Sequence, residues 1–510
     1  MIVVGPRTPW FWGGCAALFA GVALHFPMYA QSLEMGHHMA DMGADPMMLL
    51  GMALIAVGGA IAFFGALPGQ RRRAPEGEAR IRYEAPDSTP LGKAHAVTLV
   101  VLVVGLVIDT MKPATLGFVL PGLAAEYGIP KGTAALLPLV ALTGTVVGSI
   151  VWGYLADLYG RRVSIILSTI IFIATSVCGA MPDFTLNLLM CFLMGASAGG
   201  MMPVVYTLLA EIMPPRSRSW VLVLVGGAGL IGGYLAASFV AALFEPQYGW
   251  RSLWLQGFPT GILLLLLARW IPESPEFLRS QGRDEELEAL GRRFGIVAAP
   301  PSRPATAPEI AHDHRRVTLA LVITGLAWSF VNFGLLLWLP SDLQEKGYSS
   351  GLASWMIAKS ALIALPTVAL AAYFYSRWSS KWTLVGSILL TAVALAATLL
   401  IGEFSQTELA VVAVVSLLIL GSNAVIALLL PYAAENYRVG VRGRGTGLVA
   451  GASKLGGVVV QASALMGFVP TFGGAAVALI VPMIAAAGLV AWFGPETRGR
   501  SLRELETVTG

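Results

Sequence analysis

Charge is what this chain has least of. Asp, Glu, Lys and Arg supply 12% of its 510 residues, about half the roughly 25% of a soluble domain. With 56% of residues hydrophobic, too little polar surface remains for a fold dissolved in water, so the chain reads as an integral membrane protein. Cysteine is nearly absent as well. Cys15, Cys178 and Cys191 all lie in apolar segments, which argues against a disulfide framework and gives no sign of thiol chemistry. No Walker-type phosphate loop, H-E-x-x-H pair or convincing nucleophile motif is present, so neither an ATP-driven pump nor an enzyme is supported and no catalytic residue is assigned. The formal net charge of +4 requires no nucleic-acid partner, because cytoplasmic loops of membrane proteins collect Lys and Arg anyway.

Apolar runs are what the chain has in excess. At about 20 residues per crossing, helices are expected near 10–30, 47–67, 96–124, 132–156, 162–182, 185–213, 220–244, 250–271, 317–340, 351–375, 382–402, 409–434, 445–469 and 472–493. The first run could instead be a signal peptide, with Arg7 ahead of it and Met28-Tyr29-Ala30 as cleavage site. Its length and the closely following second run favour a retained helix. One set of loops holds Arg71, Arg72, Arg73, Arg161, Arg162, Arg216, Arg218, Arg438, Arg442 and Arg444, and the tail adds Arg498, Arg500 and Arg503. The opposite loops offer little beyond Lys131, Arg251 and Lys346, with Glu403 and Glu408 nearby. By the positive-inside rule both termini are cytoplasmic.

Two polar stretches divide the chain. Residues 1–68 form a transmembrane hairpin, 69–95 a cytoplasmic linker, 96–272 a first six-helix bundle, 273–316 a central cytoplasmic loop, 317–494 a second six-helix bundle and 495–510 a cytoplasmic tail. In the loop, "AAPPSRPATAPE" reads as flexible. The fold class is therefore all-α integral membrane, with two six-helix bundles related by pseudo-symmetry plus an extra N-terminal two-helix hairpin, about 14 transmembrane helices. Internal repeats of this kind suggest a transporter with its substrate at the midplane between halves. The repeat falls in register twice. "GYLADLYGRRVS" at 153–164 matches "AYFYSRWSSKWT" at 372–383 in position, and "AEIMPPRSRS" at 210–219 matches "AENYRVGVRGRGTG" at 434–447. The hairpin precedes a polar linker and is expected to be separable, so a protein lacking residues 1–90 should still insert.

On these residues the chain resembles the major facilitator superfamily. Gly153, Asp157, Gly160, Arg161 and Arg162 fit that family's G-x-L-a-D-r-x-G-r-r loop. "PESPEFL" at 272–278, "GPETRGRSLRELE" at 494–506 and "YGWRSLWLQGFP" at 248–259 are similar to segments of its sugar-porter-like branch, which includes aromatic-acid/proton symporters and organic-ion carriers. The resemblance covers residues 96–506 and leaves the hairpin outside. It implies the major facilitator fold and a cytoplasmic gate held by acid–base pairs: Asp157 with Arg161 and Arg162, Glu211 with Arg216 and Arg218, Glu435 with Arg442 and Arg444. The alternative is that these are topology signals and surface ion pairs worth under about 1 kcal/mol. Ser376 stands where the second copy's acid would be, which suggests an asymmetric gate.

Charges inside the spans are the stronger evidence, because a charge at the centre of a membrane helix costs about 2.5–3.5 kcal/mol on insertion scales. Asp109 lies about 20 Å along its helix, near the midplane. Lys112 follows three residues later and is expected on the same face, while Pro113 cannot donate to the Asp109 carbonyl. The trio would present an acid, an amine and a bare carbonyl to one cavity, with Lys112 as anion anchor and Asp109 as its counter-charge; a self-neutralised structural pair is the alternative. Lys359 either lines the cavity or snorkels to the surface. Lys454 precedes Gly456 and Gly457, which suit close approach, and stands where the resembling family often has arginine. Asn332 and Asn423 either line the pathway or bond a neighbouring helix, and Trp328, four residues before Asn332, would give an aromatic wall. Related proton symporters carry a second acid at the position of Lys112 and an arginine at that of Cys191, so their proton-coupling pair does not transfer directly.

Three lysines against one aspartate favour an anionic substrate, a small organic carboxylate. The reading is a secondary active transporter working by alternating access, with no cofactor and a proton as candidate coupling ion. Its partners are the small anionic solute and the lipid bilayer, and a monomer in a bacterial plasma (inner) membrane is expected. Rival readings are an exporter of drugs or organic cations, and a transporter-like sensor or assembly protein. In the hairpin loop, His37, His38 and Asp41 among five methionines are weak metal-ligand candidates, without a recognised spacing.

Overall fold

Among the described residues fourteen helices are long and apolar enough to cross a membrane, and each coincides with one of the expected runs. The computed structural model describes residues 7–35, 39, 42, 43, 45–67, 82–299, 313–404, 407–437, 439–468 and 471–498. The spans are α1 Thr8–Ser32, α2 Pro46–Ala66, α3 Lys93–Tyr127, α4 Lys131–Tyr159, α5 Arg161–Ala180, α6 Phe184–Ile212 and α7 Pro215–Tyr248. They continue as α8 Ser252–Trp270, α9 Arg315–Glu345, α10 Ser350–Arg377, α11 Ser380–Leu399, α12 Glu408–Asn436, α13 Gly445–Leu465 and α14 Phe472–Phe493. Local chemistry sets several of their ends. Asp183, Ser349 and Thr471 cap α6, α10 and α14 through their side chains, satisfying backbone N–H groups that no helix turn can.

The two six-helix halves pack by the same plan. In the first, α3 lies along α7, α4 along α6 and α5 along α8; in the second, α9 lies along α13, α10 along α12 and α11 along α14. Contacts between the halves obey the same pseudo-twofold, because α7 meets α10 while α13 meets α4. Either half alone would expose those faces, so the seam between them is where relative motion and ligand access can be combined. His37, His38 and Asp41 lie outside the described residues.

The hairpin is docked against the first half, which linker composition alone did not indicate. Gly14 and Gly21 of α1 and Gly51, Gly58 and Gly65 of α2 recur every seven residues, and a Cβ added at Gly14 or Gly65 would come within 2.3 Å of the other helix's backbone. The interlocked pair rests on α5. Phe19 meets Phe258 edge-on, and Tyr29 donates to the Tyr248 carbonyl at 2.9 Å. Beyond α1, the backbone N–H of fully buried Met39 donates to Glu126 Oε1 at 2.8 Å. Linker composition reports how a segment is connected, not whether it docks.

Parts of both polar stretches form regular structure. After α8 come short helices Pro275–Ser280 and Asp284–Phe294, then strand β2 Val297–Ala299. β2 pairs antiparallel with β1 Arg82–Glu84 from the linker. Linker and central loop thus tie together, with Phe294 buried against His95 at the start of α3. All of "AAPPSRPATAPE" beyond Ala298 and Ala299 lies outside the described residues.

Candidate functional site

Asp109 sits mid-way along α3, and the charged group that faces it is Lys454 of α13, in the other half. Asp109 is 9% exposed and Lys454 is half-buried. Neither makes an ion pair within 4 Å among the described residues. Opposite charges therefore stand across the seam with their contact unmade, which leaves each open to a ligand or a proton.

Lys112 goes elsewhere, and this corrects the same-face expectation. Its ammonium is fully buried, donating to the Phe172 carbonyl at 2.5 Å and to Thr175 Oγ1 at 2.6 Å, and lies 4.4 Å from the Phe172 ring centre. A Cβ added at Gly257 of α8 would come within 3.1 Å of it. Three residues turn a helix by about 300°, so the two side chains diverge by about 60°. On a helix wedged between the seam and its own bundle, that angle is enough to send Asp109 to the partner half and Lys112 to α5. α3 continues as helix through Pro113 and Pro121.

The other candidates separate in the same way. Lys359 is a surface lysine, 41% exposed, paired with Glu408 at 2.5 Å, so it snorkels. Asn423 is buried and donates to the Ile419 carbonyl one turn back at 2.9 Å. Asn332 opens a π-helical turn, Asn332–Leu336, in α9, a distortion found preferentially at functional sites. Trp328 packs edge-on against Phe333 with its buried indole Nε1–H unpartnered among the described residues. Asp109, Lys454 and this part of α9 define the candidate site, and α13 packs on α9 where Gly456 approaches Ser329.

Both ends of the seam carry contacts that sequence reading missed. At the end remote from the arginine loops, Lys131 of α4 pairs with Glu345 at 2.6 Å and Asp342 at 3.5 Å on α9, and Tyr234 donates to the Leu336 carbonyl. At the arginine-rich end, Ser219 of α7 donates to Glu435 Oε1 of α12 at 2.6 Å. Lone charges in short loops carry no pattern, so nothing in the chain announced the first latch.

Two of the expected gate acids, Asp157 and Glu211, meet on one arginine in the first half. Arg161 holds Glu211 at 3.1 Å and the largely exposed Asp157 at 3.5 Å. Arg216, one of the two expected partners of Glu211, is exposed and makes no ion pair among the described residues. Glu273, from "PESPEFL", was not singled out. Its Oε1 accepts from the backbone N–H groups of Arg161 at 2.7 Å, Arg162 at 3.3 Å and Ser274 at 2.9 Å. A carboxylate is thereby seated on the N-terminus of α5, where the helix dipole favours it. Burial nevertheless pushes the Glu273 carboxyl above the usual range, against those hydrogen bonds.

The second half repeats the seat with Glu496, which accepts from Ser380 N–H at 3.0 Å, Ser380 Oγ at 2.5 Å and Ser379 Oγ. Burial raises this carboxyl too, but the Ser379 and Ser380 hydroxyls outweigh it and hold it below the usual range. Glu435 is bound by hydroxyls from Ser219, Tyr375 and Thr497. The side chains of Arg442 and Arg444, the expected partners of Glu435, lie outside the described residues.

Gly160 and Gly153 differ sharply. Gly160 has φ +99°, and an added Cβ would lie 2.5 Å from Glu273 Oε2, whereas nothing lies within 4 Å of an added Cβ at Gly153. The Gly153 assignment therefore finds no crowding to support it. Gly160→Ala should lower stability by about 1–3 kcal/mol from backbone strain, while Gly153→Ala, in helix, should be neutral or stabilising by up to about 1 kcal/mol. Thermal unfolding in detergent distinguishes them.

Two pseudo-symmetric bundles, a polar site at mid-seam and latches at both ends define a secondary transporter of the alternating-access class. Comparison with known proteins gives the family. The family model described as Major Facilitator Superfamily matches residues 99–461, and the chain belongs to that superfamily; it is a transporter and not an enzyme. The niacin transporter NiaP of Acinetobacter baylyi is 25% identical over 82% of this chain and 98% of its own. The 4-hydroxybenzoate transporter PcaK of Pseudomonas putida is 32% identical over 51% of this chain and 61% of its own. Among solved structures, the proton:xylose symporter XylE bound to a bromodeoxyglucose superposes with a TM-score of 0.65 at 20% identity, covering 82% of this chain and 99% of that one.

Proposed function

We propose that this protein carries a small organic anion, an aromatic or similar monocarboxylate, by proton-coupled alternating access. The observation that carries the reading is the pair of unjoined charges Asp109 and Lys454, one on each half. The surplus of lysines no longer supports an anion, since Lys112 is sealed and Lys359 is paired at the surface. Support comes instead from Lys454 at the seam and from relatives named for niacin, benzoate, 4-hydroxybenzoate and gallate. A substrate carboxylate pairs with Lys454, and a proton neutralises Asp109. The loaded seam then holds no unpaired charge, which lowers the cost of rocking the halves. The arginine-rich end is cytoplasmic by the positive-inside rule, as are both termini, and the protein works as a monomer in a bacterial inner membrane.

Purified protein in proteoliposomes under an imposed pH gradient should accumulate radiolabelled niacin or benzoate, and a protonophore should abolish the accumulation. Xylose and a lipophilic cation should not accumulate. Accumulation of the cation would replace this reading with the exporter, and binding without accumulation would replace it with the sensor.

A further inference from the structure

A cavity of about 340 Å³ lies between α7, α10, α11 and α12, and the transport site makes no use of it. Its wall includes Phe374, Trp378 and Trp382, all three large rings substantially exposed on the outer surface of the bundle. Gly227 and Ile231 of the first half form its inner side, so the groove runs from the lipid-facing surface to the seam. At Gly386 in the same lining, an added Cβ would meet nothing within 4 Å. The space is open and largely apolar, with Thr367, Thr383, Ser387 and Asn423 as the polar residues of its lining, and is bounded by indoles where the helices end.

That end is positively charged. Arg377 and Lys381 flank the two tryptophans in the chain, and the Lys381 ammonium lies 5.4 Å from the Trp382 ring centre. Arg498 donates from Nη1 to the Trp378 carbonyl at 2.8 Å. None of the three cations makes an ion pair within 4 Å among the described residues. The neighbouring acid, Glu496, is engaged by Ser379, Ser380 and the backbone N–H of Arg498.

We propose that this groove binds an anionic phospholipid, with an acyl chain along the Phe374–Trp378–Trp382 wall and the phosphate against Arg377, Lys381 and Arg498. Charge complementarity selects the occupant. An apolar trough in the hydrocarbon zone that ends at unpaired cations and indoles matches an amphiphile with a hydrocarbon tail and an anionic head, and basic residues at this level attract anionic lipids. A neutral lipid would fill the trough but leave the cations unmatched. Because both halves line the groove, the lipid binds the arrangement in which the groove exists and shifts the conformational equilibrium toward it. The inference is independent of the solute carried.

Native mass spectrometry of the full chain, equilibrated in detergent with phosphatidylglycerol or phosphatidylcholine of identical acyl chains, tests it. The parental protein should retain phosphatidylglycerol in preference to phosphatidylcholine. Gly386→Leu, which fills the groove, and the triple change R377Q/K381Q/R498Q should each lower retained phosphatidylglycerol at least about fivefold. Ala424→Leu provides a second filling variant should Gly386→Leu unfold, with thermal unfolding as the check on both. Equal retention of the two lipids by the parental protein, or undiminished phosphatidylglycerol on either a folded filling variant or the triple variant, would overturn the proposal.

Discussion

Lys454→Met should weaken binding of an aromatic carboxylate at least about 30-fold, whereas Lys112→Met should leave affinity within a few fold. Truncating one partner of a desolvated charge pair costs about 2–5 kcal/mol, and about 1.4 kcal/mol is tenfold in affinity. Lys454 stands at the seam without an ion-pair partner among the described residues, facing Asp109 of the other half, so a bound carboxylate would be that partner. Lys112 is fully buried in the first half, with the Phe172 carbonyl and Thr175 already accepting its protons. Its loss should appear in thermal stability. Asp109→Asn should keep measurable binding but flatten its pH dependence, because the proposed coupling proton has no carboxylate to neutralise. Isothermal titration at several pH values reads all three variants. Parental affinity in Lys454→Met together with loss in Lys112→Met would transfer the anchor back to α3.

Glu126→Gln should destabilise the protein by about 3–5 kcal/mol, the cost of stranding a buried charge. Arg251 is 1% exposed and grips Glu126 through Nη2 at 2.7 Å and Nε at 3.0 Å. Trp250 Nε1 at 2.8 Å and the Met39 N–H also donate to the carboxylate. By contrast, Lys359→Met breaks a half-exposed pair with Glu408 and should cost no more than about 1 kcal/mol. Deleting residues 1–90 removes the Met39 cover, and should cost about 1–3 kcal/mol through that hydrogen bond alone. Water then reaches the pair, so Glu126→Gln should be less damaging in the shortened protein than in the full chain. Thermal unfolding of the four species measures this coupling. Strict additivity would mean that the hairpin does not cover the pair.

Much of the site was legible in part. Asp109 and Lys454 stood out because a membrane interior tolerates few charges, and that scarcity is visible in any single chain. Their facing each other was not visible, since 345 residues separate them and pairing across the seam depends on how the halves meet. Glu273 and Glu496 both follow proline in "PES" and "PET", a repeat whose meaning emerges only when each carboxylate is seen on a helix N-terminus. Lys131, Asp342 and Glu345 resemble ordinary loop charges until the halves are brought together.

The number of spans, the two-half plan and the basic end were set by composition along the chain. Hydrocarbon demands about 20 apolar residues per crossing, and basic residues remain on one side of the membrane; both are one-dimensional constraints. Tertiary structure decided which buried charge faces the seam, because 60° around α3 separates Asp109 from Lys112 and only the neighbours of that helix say what lies in each direction. It also decided the hairpin's place. Its glycine faces dictate a tight pair, but docking on α5 and over Glu126 depends on surfaces from distant segments that no local pattern encodes.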